Sequence, residues 1–226
     1  SIQLSINKWI LSRYLKTQKK VIKNLELFKF NQVISDLYHF IWNDFCDLYI
    51  ELSKNYLQNK KNKKEISETF GYVFSNSLNL INPVIPFITE KIGRELGYIQ
   101  KSFFNELINT DLKLIEETDA VVEFNSFIDF LKKVRIEQGT QVQVESKLII
   151  LCEKEIEWIK NNSFLVNAIF RFEKIEYKSK FNEENHKVIL INGIKFLIVS
   201  KNKKGLENNA AIKKKINFFK NKIDFF

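Results

Sequence analysis

Arg13, Lys16, Lys20 and Lys23 stand at three- and four-residue steps. On a helix this spacing gathers four cations on one side. Such a stripe can follow a phosphate backbone and gain affinity as counterions are released. Trp9 lies one turn upstream, beside the stripe, where an indole can stack on an unpaired base or sugar. An ordinary solvated face, with Trp9 packed against a neighbouring helix, gives the same pattern. Other reactive residue types lead less far. Asp44, Asp47 and Glu51 share one stretch, but general acid–base work needs a cleft around a carboxylate pair. They read as a solvated edge with one hydrogen bond at the end of the core. His39 and His186 have no paired nucleophile or metal cluster near them in sequence and read as structural. The two cysteines, Cys46 and Cys152, are too far apart for a disulfide framework or a metal quartet. Cys46 reads as a packed thiol. The six glycines are scattered, so there is no glycine-rich phosphate loop. No catalytic residue and no metal ligand is assigned.

The elements that must hold the stripe are helical. Over Asn7 to Phe28 the residues Leu11, Tyr14, Gln18, Val21, Leu25 and Phe28 recur at helical steps, on the side opposite the cations. Asn31 is the expected N-cap of a second helix. Its core line is Ile34, Leu37, Ile41, Phe45, Leu48 and Leu52. Tyr38, Trp42 and Tyr49 lie beside that line and are expected in a wide buried face, as in a bundle. Lys60 to Lys64 reads as a solvated loop. A third helix follows to Ile81 and stops before Pro83. Pro86 suits the first turn of a fourth, Phe87 to Leu96. Asp119 to Glu137 is a further amphipathic helix, through Phe124, Phe127, Leu131 and Val134.

After Gly139 the pattern changes. Lys147 to Cys152 reads as a strand, Glu153 to Ile169 as helix broken near Asn161, and Phe172 to Tyr177 as a strand. Asn192-Gly193 between two apolar runs predicts a two-residue hairpin, since both turn positions need positive φ. In the tail, Ile212, Ile216, Phe219, Ile223 and Phe226 mark the start of a heptad seam.

The chain has 226 residues, 45% hydrophobic and 28% charged. That supports a substantial core and excludes wholesale disorder. The net charge of +9 points to a polyanionic partner. The abundance of Lys, Asn, Ile and Phe also fits a genome biased towards A and T, which would enrich lysine without any function. There is no Met, so Ser1 is read as a cut point within a longer protein. The longest apolar run, Val188 to Val199, is interrupted by Lys195 and is too short for a membrane span.

Three segments carry a family resemblance. Lys8-Trp9-Ile10-Leu11-Ser12-Arg13 is similar to the "KWILSRL" of valyl-tRNA synthetases. Phe30-Asn31, then Leu37-Tyr38 through Trp42, Phe45-Cys46-Asp47 and Tyr49-Ile50-Glu51, resemble the family's "FN…LY-x-F-x-W-x-x-FCDWY-I-E" helix. Asn82-Pro83-Val84-Ile85-Pro86-Phe87-Ile88-Thr89-Glu90 looks like its "HPFMPFITEE". The isoleucyl and leucyl relatives lack an equivalent of the FIW-x-x-FCD segment. The sequence departs from the pattern at Val33 and Ile34 (usually Ala), at Leu48 (Trp) and at Gly93 (an aromatic). The family's "LxGLID" segment is barely visible around Asn192 to Gly205.

The resemblance implies a mainly α fold. Residues 1–115 would form an antiparallel helix bundle of the class I synthetase anticodon-binding type. Residues 116–205 would form a small α+β domain, and 206–226 the start of a C-terminal helix leading towards a coiled-coil arm. It implies the tRNA-binding C-terminal portion of an enzyme that joins valine to tRNA(Val). Trp9, Arg13, Lys16, Lys20 and Lys23 become the candidate tRNA contacts. The chain itself needs no cofactor. ATP and Mg belong to the family's catalytic domain, whose HIGH and KMSKS signatures do not occur here. A cytoplasmic monomer with no membrane partner is expected. The family helix that precedes "KWILSRL" and supplies main anticodon-reading side chains has no counterpart, so no base-reading residue is assigned. The alternative is a free-standing RNA-binding or structural helical protein.

Overall fold

The computed structural model describes residues 2–103, 118–138, 146–152, 155–170, 172, 174–182 and 187–200. They form a mainly helical protein with one small mixed sheet. Two compact units divide the chain, Ser1–Ile128 and Asp129–Phe226, with the division inside one helix. His186 and the heptad tail lie outside the described residues.

In the first unit, α1 (Ser5–Glu26) is the buried helix of a bundle. Ile6, Trp9, Ile10, Leu11 and Tyr14 are all at most 4% exposed. Burial at successive positions means that its N-terminal half meets neighbours on several sides; beyond Gln18 only Val21 is buried. The helix stops before Phe28, which takes a left-handed φ of 56°. The next N–H, of Lys29, returns to the Asn24 carbonyl at 2.8 Å. This is the closure usually made with glycine after a helix C-terminus.

The second rod starts at α2 (Phe30–Tyr38), so Asn31 lies inside its first turn and Lys29 is the capping position. It continues as a π-helical stretch, His39–Ile50, then one turn, α3 (Glu51–Ser53), and a 3-10 turn, Lys54–Tyr56. The wider winding changes which residues face inward. Leu37, Phe45, Leu48 and Leu52 are buried as expected, joined by Phe40, Asp44 and Tyr49. Ile34 is 52% exposed and Ile41 only half-buried. Tyr38 and Trp42, expected in the core, stand on the surface and stack on each other at 6.3 Å. Phe45 packs instead among Phe40, Tyr49, Phe70 and Phe74.

Lys60 to Lys64 is not a loop. It forms the first turns of α4 (Lys60–Ile81), started by Asn59, whose side-chain oxygen accepts from the Lys61 N–H at 2.9 Å. The helix ends ahead of Pro83, and α5 (Pro86–Glu95) begins on Pro86. Glu90 ties α5 to the segment that follows. Its Oε1 accepts from the Ser102 hydroxyl at 2.6 Å and the Phe103 N–H at 2.8 Å, and Arg94 lies 3.2 Å from Oε2. The Ser102 bond, with those of Phe103 and Arg94, holds the Glu90 carboxyl below its ordinary range. The ionised form therefore makes this junction, and the junction weakens as pH falls through that lowered value. Gly93 explains one departure noted in the sequence: Phe103 folds back over it and supplies the aromatic group from the other side of the contact.

Helix α6 (Asp119–Gln138) contains the division between units. Val121, Phe124, Phe127 and Ile128 are buried on its first half, and Phe130, Leu131 and Val134 on its second. In the second unit, β1 (Ser146–Leu151), α7 (Glu157–Asn161), α8 (Ser163–Phe170) and β2 (Lys174–Lys178) form a parallel βαβ unit. Strands β3 (Lys187–Ile191) and β4 (Ile194–Ser200) complete the sheet in the order β2-β1-β4-β3. The Asn192-Gly193 turn forms as expected, with φ of 49° and 78° and antiparallel partners on either side. Phe130, Trp158 and Phe196 meet in the core of this unit.

A Cβ on Gly93 would lie 2.7 Å from the Phe103 ring, and Phe103 is 5% exposed. Gly93→Ala is therefore expected to destabilise the chain by roughly 1–3 kcal/mol, although the same change normally favours a helix by about 1 kcal/mol. Urea unfolding of Gly93→Ala and of Gly93→Ala/Phe103→Leu checks this. The second change should recover part of the loss.

Candidate nucleic-acid interface

The five candidate residues do not form one site. Trp9 is 1% exposed. Its ring packs on Phe124 with centroids 5.8 Å apart, and its N–H donates to Asn125 Oδ1 at 3.0 Å. The stacking role considered for it from the sequence is corrected: the indole is a core group with its one donor satisfied. The outward direction of its helical position is occupied in this region by α6, which spacing within α1 cannot reveal.

Arg13 is also committed. Its Nε and Nη2 both approach Asp44 Oδ2 at 2.7 Å. The carboxylate side chain is only 6% exposed and the arginine 43%. Burying Asp44 without a cation would strand a charge, so the guanidinium serves α1 and the π-helical stretch first. The one core-end hydrogen bond expected among Asp44, Asp47 and Glu51 falls to Asp44.

Lys16, Lys20 and Lys23 are exposed, and Lys19, passed over in the sequence, is exposed with them. All four lie beyond Leu15, where one side of α1 stays buried through Thr17, Gln18 and Val21 and the other is exposed. Fully exposed positions on α1 occur only from Lys16 onwards. Next to them the helix turn carries Phe28 and Phe30, 78% and 56% exposed, in edge contact at 6.3 Å. A groove of about 550 Å³ is lined in part by Phe87, Lys91, Arg94 and Ser102. Its cations are engaged, Lys91 with Glu95 and Arg94 with Glu90.

Cys46 is exposed rather than packed, and burial of its flank raises the thiol pKa, which lowers its reactivity. His39 is exposed and exchanges a hydrogen bond with Asn43 at 3.1 Å. Among the described residues no cluster of His, Cys, Asp or Glu is arranged to hold a metal ion. No helix among them is long and apolar enough to cross a membrane.

Residues 7–150 match the family model for the anticodon-binding domain of tRNA ligase. The chain belongs to that family. The match takes in the whole bundle, α6 and β1. Among similar proteins is the valine–tRNA ligase of Bacillus thuringiensis, 30% identical over 167 residues, covering 70% of this chain and 19% of the relative. That of Lactiplantibacillus plantarum is 32% identical over 168 residues, 73% of this chain and 18% of the relative. That of Pelagibacter ubique is 27% identical over 188 residues, 78% of this chain and 21% of the relative. This anticodon-binding domain chain thus spans about a fifth of the length of the curated relatives it matches.

Trp9→Phe should lower stability by roughly 1–3 kcal/mol, through lost volume and an orphaned Asn125 acceptor. Thermal unfolding of wild type and variant gives the value.

Proposed function

We propose that this chain is the tRNA-binding portion of a valine–tRNA ligase, the enzyme that in its intact form joins valine to tRNA(Val) with ATP and Mg. The observation that carries the proposal is the family match over residues 7–150 together with valine–tRNA ligase relatives aligned over about 70% of the chain. In this reading the unit that ends at Ile128 is the anticodon-arm bundle, past the boundary at 115 expected from the sequence because the first half of α6 packs on Trp9, and the unit from Asp129 is the accessory α+β domain. ATP and Mg act in a catalytic domain elsewhere in the polypeptide, and the chain alone forms no valyl-adenylate. The protein acts in the cytoplasm as a monomer.

Lys16, Lys20 and Lys23, with Lys19, are the phosphate contacts on α1. Their exposure and shared position beyond the core support this role. Each ammonium can meet a backbone oxygen without disturbing the buried face, and the attraction falls as salt rises. Arg13 contributes chiefly by holding Asp44.

The test is a tRNA titration of the chain at several salt concentrations. Lys16→Gln/Lys19→Gln/Lys20→Gln/Lys23→Gln should flatten the log–log salt dependence by about two to four, roughly one for each phosphate that is no longer neutralised. Stability should change little, since exposed charges contribute little. Arg13→Gln should do the reverse, lowering stability while moving the slope by less than one. Equal slopes for wild type and the quadruple variant, or no tRNA binding at low salt, would count against the proposal.

A further inference from the structure

Lys60, Lys61, Lys63 and Lys64 occupy four of the first five positions of α4. All four are exposed. Successive helical rotations of 100° place them within one half of the helix circumference, centred opposite the face of Ile66, Thr69, Val73, Ser77 and Leu80 that is buried in the bundle. They point away from the core as a group.

This placement opposes the helix's own electrostatics. Positive charge at a helix N-terminus runs against the macrodipole, and Lys60 repels Lys63 and Lys64 at i,i+3 and i,i+4. The usual remedy is an acid in the first turns. Glu65 is the acid in place, but its carboxylate is turned inward. Its Oε1 accepts from the Gln3 N–H at 3.1 Å, the Leu4 N–H at 2.8 Å and the Asn7 side-chain amide at 2.9 Å. Glu68 reaches only Lys64, at 3.8 Å. Among the described residues, Lys60, Lys61 and Lys63 have no acid within ion-pair distance. The cap itself, Asn59, is neutral.

We propose that Lys60, Lys61, Lys63 and Lys64 form a second contact for the phosphate backbone of the bound RNA, separate from the α1 cations. The proposal rests on the tRNA-binding reading above. The cluster is an open, convex patch of long flexible cations with no enclosing wall. That form suits an extended polyanion, which many ammonium groups can meet at once, better than a small anion held in a pocket. RNA bound there removes the repulsion among the lysines, so the binding free energy includes relief of an unfavourable arrangement in the free protein.

The two cation groups are distinct in space. The start of α4 is tied to the start of α1 through Glu65 and Leu4. The α1 cations lie about 18–28 Å further along, at 1.5 Å per residue. They also lie on the side of α1 opposite Asn7 and Tyr14, which face α4 through Glu65 and the Asn76 carbonyl. The two groups therefore meet the RNA separately rather than as one track, and their contributions should add.

The experiment compares wild type, Lys60→Gln/Lys61→Gln/Lys63→Gln/Lys64→Gln, the corresponding four-arginine variant and the α1 quadruple variant, all in the 226-residue chain, with unfractionated tRNA as the probe. The α4 glutamine variant should flatten the log–log salt dependence by about two to three, add to the effect of the α1 variant, and raise the melting temperature without tRNA. The arginine variant should keep the wild-type slope. An α4 glutamine variant that binds like wild type, while the α1 variant is weakened, would overturn this inference and leave the tRNA-binding reading standing. Wild type that fails to bind tRNA would overturn both.

Discussion

The bundle depends on a junction at the start of α1, where one carboxylate joins three elements. Burial sets in at Ile6; Gln3, which is exposed, and Leu4, which is half-buried, lead into the helix, and their N–H groups have no acceptor within it. The capping position, Leu4, has no side-chain oxygen to offer. Glu65 on α4 supplies one, accepting from the Gln3 and Leu4 N–H groups and from the side chain of Asn7. Asn7 in turn accepts from the Tyr49 hydroxyl at 2.9 Å, with the Ile66 carbonyl a longer, alternative acceptor at 3.4 Å. One carboxylate thus joins α1, α4 and the π-helical stretch. Tyr49 is fully buried, and its burial holds the hydroxyl in the protonated form needed to donate.

The distribution of charge follows from this junction. Because Glu65 faces inward, the lysines at the start of α4 have little local compensation. Because most of the first half of α1 is buried, the exposed cations of the helix are Lys16 and those in the turns after it. Arg13, at the margin between the two halves, is drawn to the buried Asp44. A helix that looks in sequence like a single basic stripe divides into a packing half and a solvent half.

What could be read in the sequence was local. The Asn192-Gly193 turn requires only its own two φ angles, Pro86 only a free first helical turn, and both appear where expected. The apolar line of α1 from Leu11 to Val21 was legible for the same reason. Four things were not. Trp9 faces Asn125, more than a hundred residues away, and nothing within α1 reports that partner. The Arg13–Asp44 pair similarly joins separate helices. Tyr38 and Trp42 were expected in the core because a 3.6-residue period was assumed where the chain winds more widely. Lysines at Lys60 to Lys64 look like a loop because they violate helix electrostatics; Asn59 capping and the buried face from Ile66 outweigh that penalty.

If the Glu65 junction holds the bundle together, a double-mutant cycle on Glu65 and Tyr49 shows it most directly. Urea unfolding of Glu65→Ala, Tyr49→Phe and the double variant gives the coupling. Glu65→Ala should lose roughly 2–4 kcal/mol, by uncapping α1 and releasing Asn7. The double variant should lose at least about 0.5 kcal/mol less than the sum of the singles, within the range of 0.5–3 kcal/mol for residues in one network. A Glu65→Ala loss below about 0.5 kcal/mol, as for an ordinary surface substitution, with strict additivity in the cycle, would contradict the central role of this carboxylate.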